Sequence, residues 1–505
     1  MGIIGWRCVR VLVQVWDLRQ LLTRGTDQDN MKTMPIHKLS DNDLLEIFDL
    51  CRTGHRDKHY RNLLALFLDW KFVNVCQRWR DLIFASSSRL DLELICSDGT
   101  PIRKYLGCWP AFPIIIEYDK VAPGDKDNLI ATLEHPDRVR RVTVSGVTRP
   151  LWEKMDAAMQ KPFPSLTHLQ LTGSKDQDQP APVLPSSLLG GDIPCLVELY
   201  LRGISFPALP KLLLSASELV HLDFVNIPPT CYIPPEALAT GLTGLTRLKT
   251  LAIEFRQAIL LADQDHRIPA PAAPAVSLPT LDTFGFKGFC EFLEDLVAQI
   301  DAPRVTTFSI IYFGQPVYQV PQLARFLRRS DIMPSGAQVQ LILWVNIMFY
   351  GQASEKAPGD DASGAINLSF LINTSGMVRA ILHSVQVLQQ ISALLSGVTN
   401  LGFNGPAPPS NQPPYGGSMY SRSPIAGTAF GEALFGDLKP LLELPGVQDS
   451  VDRIDWRDLL RPFPGVLTLN LHGELSECVV RALEWLNEEM AAHILPALRT
   501  LRFTE

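Results

Sequence analysis

PSLTHLQL at 164–171 carries the pattern by which the chain reads. Leu166, Leu169 and Leu171 mark an apolar residue, two variable residues, an apolar residue, one variable residue and an apolar residue. The same core recurs as VRRVTV at 139–144, LVELYL at 196–201, LVHLDF at 219–224, LKTLAI at 248–253, LDTFGF at 281–286 and VTTFSI at 305–310. It returns as VTNLGF at 398–403, VLTLNL at 466–471 and LRTLRF at 498–503. The middle apolar positions of the first seven copies stand 27, 30, 23, 29, 33 and 24 residues apart. The last residues of each core alternate with the period of a strand. Proline introduces many copies, as in FPSL, IPCL, LPTL, APRV, FPGV and LPAL. It is expected to end the preceding helix and to take the first position of the strand. Between cores, 205–217 and 288–300 carry apolar residues at helical spacing. One such unit cannot bury its own leucines, and stacking the units builds a continuous core. The pattern predicts an α/β solenoid over 119–505, with parallel strands on the concave face and helices on the convex face. LILWV at 341–345 and INLSF at 366–370 are expected as two further strands.

These units resemble irregular leucine-rich repeats, whose periods run at about 20–29 residues. The Asn of that pattern is absent, and Ser174, Ile204, Ile227, Arg256, Phe289 and Phe313 stand in its place. Side chains alternate across a strand, so the middle variable positions share the concave face. Those are Gln170, Tyr200, Asp223, Ala252, Gly285 and Ser309, then Asn470 and Arg502, with Thr172, Arg202, Glu254 and Lys287 beside them. Gln170, Tyr200, Arg202, Asp223, Glu254 and Lys287 are the candidate residues for holding a target. The list is mixed in sign, with Tyr200 as its aromatic anchor. The alternative is an ordinary solvated sheet face.

Upstream lie IHKLSDNDLLEIFD at 36–49 and WKFVNVCQRWRDLIF at 70–84. Ser40 caps the first helix, with Asp41 and Asp43 in its first turn. Leu44, Leu45, Ile47 and Phe48 follow at helical spacing. Phe72, Val75, Cys76, Trp79, Leu82 and Ile83 form the apolar stripe of the second helix. Two short helices with so much apolar surface need a further partner. The pair resembles an F-box, in Leu44, Leu45, Ile47 and Phe48 and in Val75, Cys76, Trp79 and Arg80. Ser40 departs from the usual Pro and Gln77 from the usual base, and the 51–69 spacer is longer than a compact F-box has. The segment 88–118 and the late block from IDWRDLLRPFPG at 454–465 are similar to the corresponding parts of basidiomycete fungal F-box-like proteins.

The resemblance implies a helical domain at 34–118 that docks on the Skp-type adaptor of a cullin-based, SCF-type ubiquitin ligase. Leu39, Leu44, Leu45, Ile47, Phe48, Val75, Trp79 and Leu82 would be shared between the domain's own core and the adaptor interface. The repeats would hold a target protein for ubiquitin-dependent degradation, and the subunit would perform no bond chemistry. The alternative is a leucine-rich-repeat scaffold that joins no ligase. Trp456, Leu459, Leu460 and Phe463 are expected to pack as a cap at the open end of the repeats.

The chain has 505 residues, 46% hydrophobic and 20% charged, as expected of a folded soluble protein. A net charge of −7 argues against a general nucleic-acid binder. Residues 51–89 run the other way, with eight Lys/Arg against three Asp/Glu. Nine scattered cysteines without a Cys-x-x-Cys pair suit a reducing compartment, cytoplasmic and/or nuclear, and neither a disulfide framework nor a zinc site. Cys76 is expected in the core. Residues 1–33 are too charged to span a bilayer and form either a disordered extension or an amphipathic helix. Polar and Pro/Gly-rich stretches at 174–187, 351–364 and 405–424 are expected as flexible loops. His55-Arg56-Asp57 matches a kinase tripeptide without the other kinase motifs. No P-loop, Gly-x-Ser-x-Gly elbow or His-Glu-x-x-His occurs, so neither catalysis, a cofactor nor a metal is expected.

Overall fold

The computed structural model describes residues 39–53, 75–86, 89–90, 92–97, 99, 102–108, 111–119, 125–174, 180–256, 276–313, 315, 317–330, 334–341, 345–350, 367–373, 377–404, 456–472 and 494–504. The 1–33 extension, most of the 51–69 spacer, Phe72 and the loops at 351–364 and 405–424 lie outside them. Two compact units emerge, Met1–Leu92 and Glu93–Glu505.

The first unit contains α1 (Asp41–Thr53) and α2 (Gln77–Ala85). The second is α/β and, among the described residues, holds a sheet of fifteen strands. It opens with β1 (Leu94–Cys96) and β2 (Ile114–Tyr118), which pair in parallel, and β2 pairs in turn with β3 (Val139–Val147). The boundary expected at 118 therefore moves to 92. Ile114, Ile115 and Ile116 are all buried, the continuous apolar run of a strand covered on both faces.

Parallel neighbours then follow in chain order as β4 (His168–Gly173), β5 (Glu198–Arg202), β6 (His221–Ile227), β7 (Thr250–Phe255), β9 (Thr283–Gly288) and β11 (Thr307–Phe313). The short β8 (Val276–Ser277) and β10 (Ile300–Asp301) pair separately. Beyond β11 the order changes. An antiparallel pair, β12 (Gly336–Leu341) and β13 (Val345–Tyr350), is followed by β14 (Asn367–Asn373), which takes the place next to β11. β13 runs antiparallel between β14 and β12. β12 passes the sheet on in parallel to β15 (Asn400–Asn404), β16 (Thr468–His472) and β17 (Thr500–Thr504). Of the strand expected at 341–345, Leu341 ends β12, Val345 begins β13 and 342–344 lie outside the described residues, whereas 367–370 does begin β14.

Helices occupy the connections: α3 (Ile102–Cys108), α4 (Lys126–Leu133), α5 (Arg149–Met159), α6 (Leu209–Leu213), α7 (Pro235–Gly241), α8 (Cys290–Gln299), α9 (Pro321–Arg329), α10 (Met377–Gln390), α11 (Ser392–Leu395) and α12 (Trp456–Leu460). α5 shows the local logic. Thr148 accepts a hydrogen bond from Leu151 N, Pro150 stands in the first turn, and Leu151, Trp152, Met155, Ala158 and Met159 form the buried face.

The three apolar positions of every repeat but the last are buried, for example Leu166, Leu169 and Leu171, or Leu281, Phe284 and Phe286. A fourth position precedes them. Leu166 N–H donates to Phe163 O at 3.2 Å, Leu196 to Ile193 at 3.2 Å, Leu248 to Leu245 at 3.1 Å, Leu281 to Leu278 at 3.3 Å and Val466 to Phe463 at 3.4 Å. Each bond closes a four-residue turn ahead of the strand, and its first residue is buried. Pro164, Pro194, Pro279, Pro464 and Pro496 thus sit at the second position of a turn, where a fixed φ is favourable. They are not first residues of strands, as the sequence had suggested. At the far edge the pattern loosens, with Leu501 on β17 40% exposed. Leu459, Leu460 and Phe463 are buried as expected, but they precede β16 rather than closing the end of the sheet.

Candidate binding surfaces

In the helical unit, Ser40 closes the start of α1 reciprocally. Its hydroxyl accepts from Asp43 N at 3.2 Å, its own N–H donates to Asp43 Oδ2 at 2.9 Å, and its hydroxyl donates to the same oxygen at 2.6 Å. This is a capping box with Asp in the usual Glu position. The Ser40 hydroxyl, then its N–H, hold the Asp43 carboxyl below its ordinary range. Arg78 ties the two helices, with Nε and a terminal nitrogen on Asp41 Oδ1 at 3.1 and 2.6 Å and a further bond to Leu39 O at 2.7 Å. Arg89 adds a bond to Asn42 Oδ1 at 2.8 Å. The ties from Arg78 and Arg89, unlike the Ser40 cap, were not legible from the sequence, because their partners lie 37 residues away or more.

The eight apolar candidates separate by burial. Leu44, Leu45, Phe48 and Trp79 are buried, as is Ile83. Leu39, Ile47 and Leu82 are half-buried. Val75 is 56% exposed. Cys76, expected in the core, is the N-cap of α2 and is exposed. It precedes the first helical turn, so its side chain is not on the stripe that Trp79 and Ile83 bury.

On the sheet, Gln170, Tyr200, Asp223, Ala252, Gly285 and Ser309 form one line of register partners across six strands. Asn470 and Arg502 pair likewise on β16 and β17. Thr172 pairs with Arg202, and Glu254 with Lys287. The face is less open than a solvated sheet. Tyr200, the expected anchor, is only 5% exposed and Glu254 2%, and Ala252 and Ser309 are buried too. Gln170, Arg202, Asp223 and Lys287 are half-buried.

Burial raises the Tyr200 phenol above its usual range, opposed by Arg202, which also hydrogen-bonds it. Burial, with Glu198 adding repulsion, pushes the Asp223 carboxyl up to about 7. A second line escaped the sequence reading: Arg141, His168, Glu198, His221 and Thr250. His221 Nδ1 lies 3.1 Å from Thr250 Oγ1, and His168 Nδ1 lies 2.8 Å from Thr167 Oγ1. His168 Nε2 stands 3.9 Å from a Glu198 oxygen. Burial, then the Arg141 charge, depress the His168 pKa, which makes that contact a neutral one at pH 7. The signal was in the alternation itself, since the residue two before each middle position shares its face.

No model of a known protein family matches the chain, and no curated protein matches it. Among the described residues no helix is long and apolar enough to cross a membrane. Among the same residues no group of three or more His, Cys, Asp and Glu is placed to hold a metal ion. The surfaces offer apolar contact and hydrogen bonding, the means of recognition between macromolecules.

Proposed function

We propose that the protein is an F-box-type receptor subunit of a cullin-based ubiquitin ligase. The helical unit docks on a Skp-type adaptor, and the sheet unit, read as an irregular leucine-rich-repeat solenoid, holds a target protein. Such a subunit makes no bonds of its own. It raises the effective concentration of the target near the conjugating enzyme, in the cytoplasm or nucleus.

The observation that carries this reading is the division of the apolar set. Leu44, Phe48 and Trp79 are buried, and Phe48 packs on Trp79. Val75 stays open beside half-buried Leu39, Ile47 and Leu82. A docking helix pair needs both an internal core and an apolar remainder for its partner.

The test is co-purification of the full chain with a Skp-type adaptor, beside Val75→Glu and Leu82→Glu variants checked for unchanged circular dichroism. Capture by the parent and loss in the folded variants support the reading. No capture by the folded parent overturns it and leaves a repeat scaffold, a reading favoured by how much of the set is buried.

A further inference from the structure

A groove of about 690 Å³ lies on the sheet unit away from the face described above. It runs beside the C-terminal ends of strands. It is lined by Arg149, Glu153 and Asp156 of α5 and by Pro228, Pro229 and Arg256, after β6 and β7. The 180–185 segment, expected as part of a flexible loop, lines it too.

That segment is ordered by an isolated parallel bridge from Val183 to Ser205. Ser205 N–H donates to Pro182 O at 2.9 Å, and Leu184 N–H donates to Ser205 O at 2.8 Å. In this arrangement the residues flanking Val183 face Ser205, so the N–H and C=O of Val183 itself point the opposite way. They have no backbone partner among the described residues. The Val183 side chain is 56% exposed. A strand with one vacant edge and an exposed β-branched side chain is a template for a further strand.

A second observation is independent of the first. Asp156 Oδ1 is buried and has no hydrogen-bond partner among the described residues. Its other oxygen accepts from Gln160 Nε2 at 2.7 Å. A buried carboxylate oxygen without a donor is costly and is satisfied when a donor arrives. Arg149 is engaged with Glu153 at 3.2 Å, whereas Arg256 has no ion-pair partner among the described residues. The groove thus offers an acceptor, a guanidinium and a strand edge between α5 and the prolines after β6.

We propose that this groove binds an extended peptide segment of a partner protein. The segment pairs with the vacant edge at Val183, sets a lysine or arginine on Asp156, and sets a carboxylate on Arg256. The inference does not depend on adaptor docking, which the helical variants read out separately.

The test uses a phage-displayed library of random dodecapeptides panned on the full chain, with enriched peptides measured by fluorescence anisotropy. Enriched sequences are expected to combine a basic and an acidic residue at constant spacing. Asp156→Asn keeps the shape and removes the charge, and should weaken binding by about tenfold or more. Val183→Pro removes the vacant N–H together with the exposed side chain and leaves the bonds to Ser205, which come from residues 182 and 184. It should weaken binding comparably. Failure to enrich any such sequence overturns the proposal, as does unchanged affinity in either folded variant.

Discussion

The rings of Phe48 and Trp79 meet edge to face, with centroids 5.0 Å and planes 66° apart. One ring comes from α1 and the other from α2, so this contact joins segments 31 residues apart in the chain. Edge-to-face pairs contribute about 0.5–1.5 kcal/mol beyond the area they bury. A double-mutant cycle of Phe48→Leu and Trp79→Leu, followed by urea unfolding of the full chain, should show a coupling of that size. Additive losses would mean that the two rings are buried independently.

Phe163 and Pro164 begin one turn ahead of β4 and should respond very differently to truncation. Phe163 is buried and closes its turn with Leu166 N–H. Phe163→Ala should cost about 3–5 kcal/mol. Pro164 only presets the turn, so Pro164→Ala should cost about 0.4–1 kcal/mol, mostly through the unfolded chain. Denaturant midpoints of the two variants give the comparison. A large loss in both would mean that the proline does more than preset the turn.

Gly465 belongs to the turn before β16, where an added Cβ would run into the backbone carbonyl oxygen of Ser396. At Gly173, on β4, a Cβ would stand 2.5 Å from the carbonyl oxygen of Gly203. Backbone cannot give way as a side chain can, so Gly465→Ala and Gly173→Ala should each cost about 1–3 kcal/mol. Gly107 in α3 has nothing within 4 Å of its would-be Cβ, and Gly107→Ala should be neutral or stabilising by up to about 1 kcal/mol. Thermal melts of the three variants check the contrast.

Asp223 makes stability depend on pH in a definite direction. Its carboxyl titrates near 3.8 in the unfolded chain and at about 7 in the folded one, because burial and then Glu198 disfavour the charge. Between those values the folded state holds a proton that the unfolded state has released. Stability should therefore fall as pH rises from about 4 to about 7, and this contribution should level off above that. Asp223→Asn should flatten the fall and leave the variant relatively more stable at pH 8 than at pH 4. Urea midpoints at several pH values test it, and an unchanged slope in the variant would assign the dependence elsewhere.

Much of the α/β architecture was legible in the repeats because burial on one side of a strand imposes a period of two. That the residues from Gln170 to Ser309 share one face follows from that period, and their register line needs the strand order as well. Other features were not legible. The turn reading of the prolines needed Leu166 N–H to be seen on Phe163 O, because a proline before a strand suits either a turn or a strand start. β1 and β2 were missed because Leu94–Cys96 and Ile114–Ile116 are each apolar throughout and show no alternation.

The sequence by itself determined which residues alternate, which are apolar, and where chain direction must change, since these depend on neighbours a few positions away. Only the tertiary structure decided that β14 comes next to β11 with β13 reversed beside it, that Tyr200 and Glu254 are buried, and that Arg78 reaches Asp41. The reason is physical. Strand order, burial and ion pairing are set by segments tens of residues apart competing for the same surface, and no local period records the outcome.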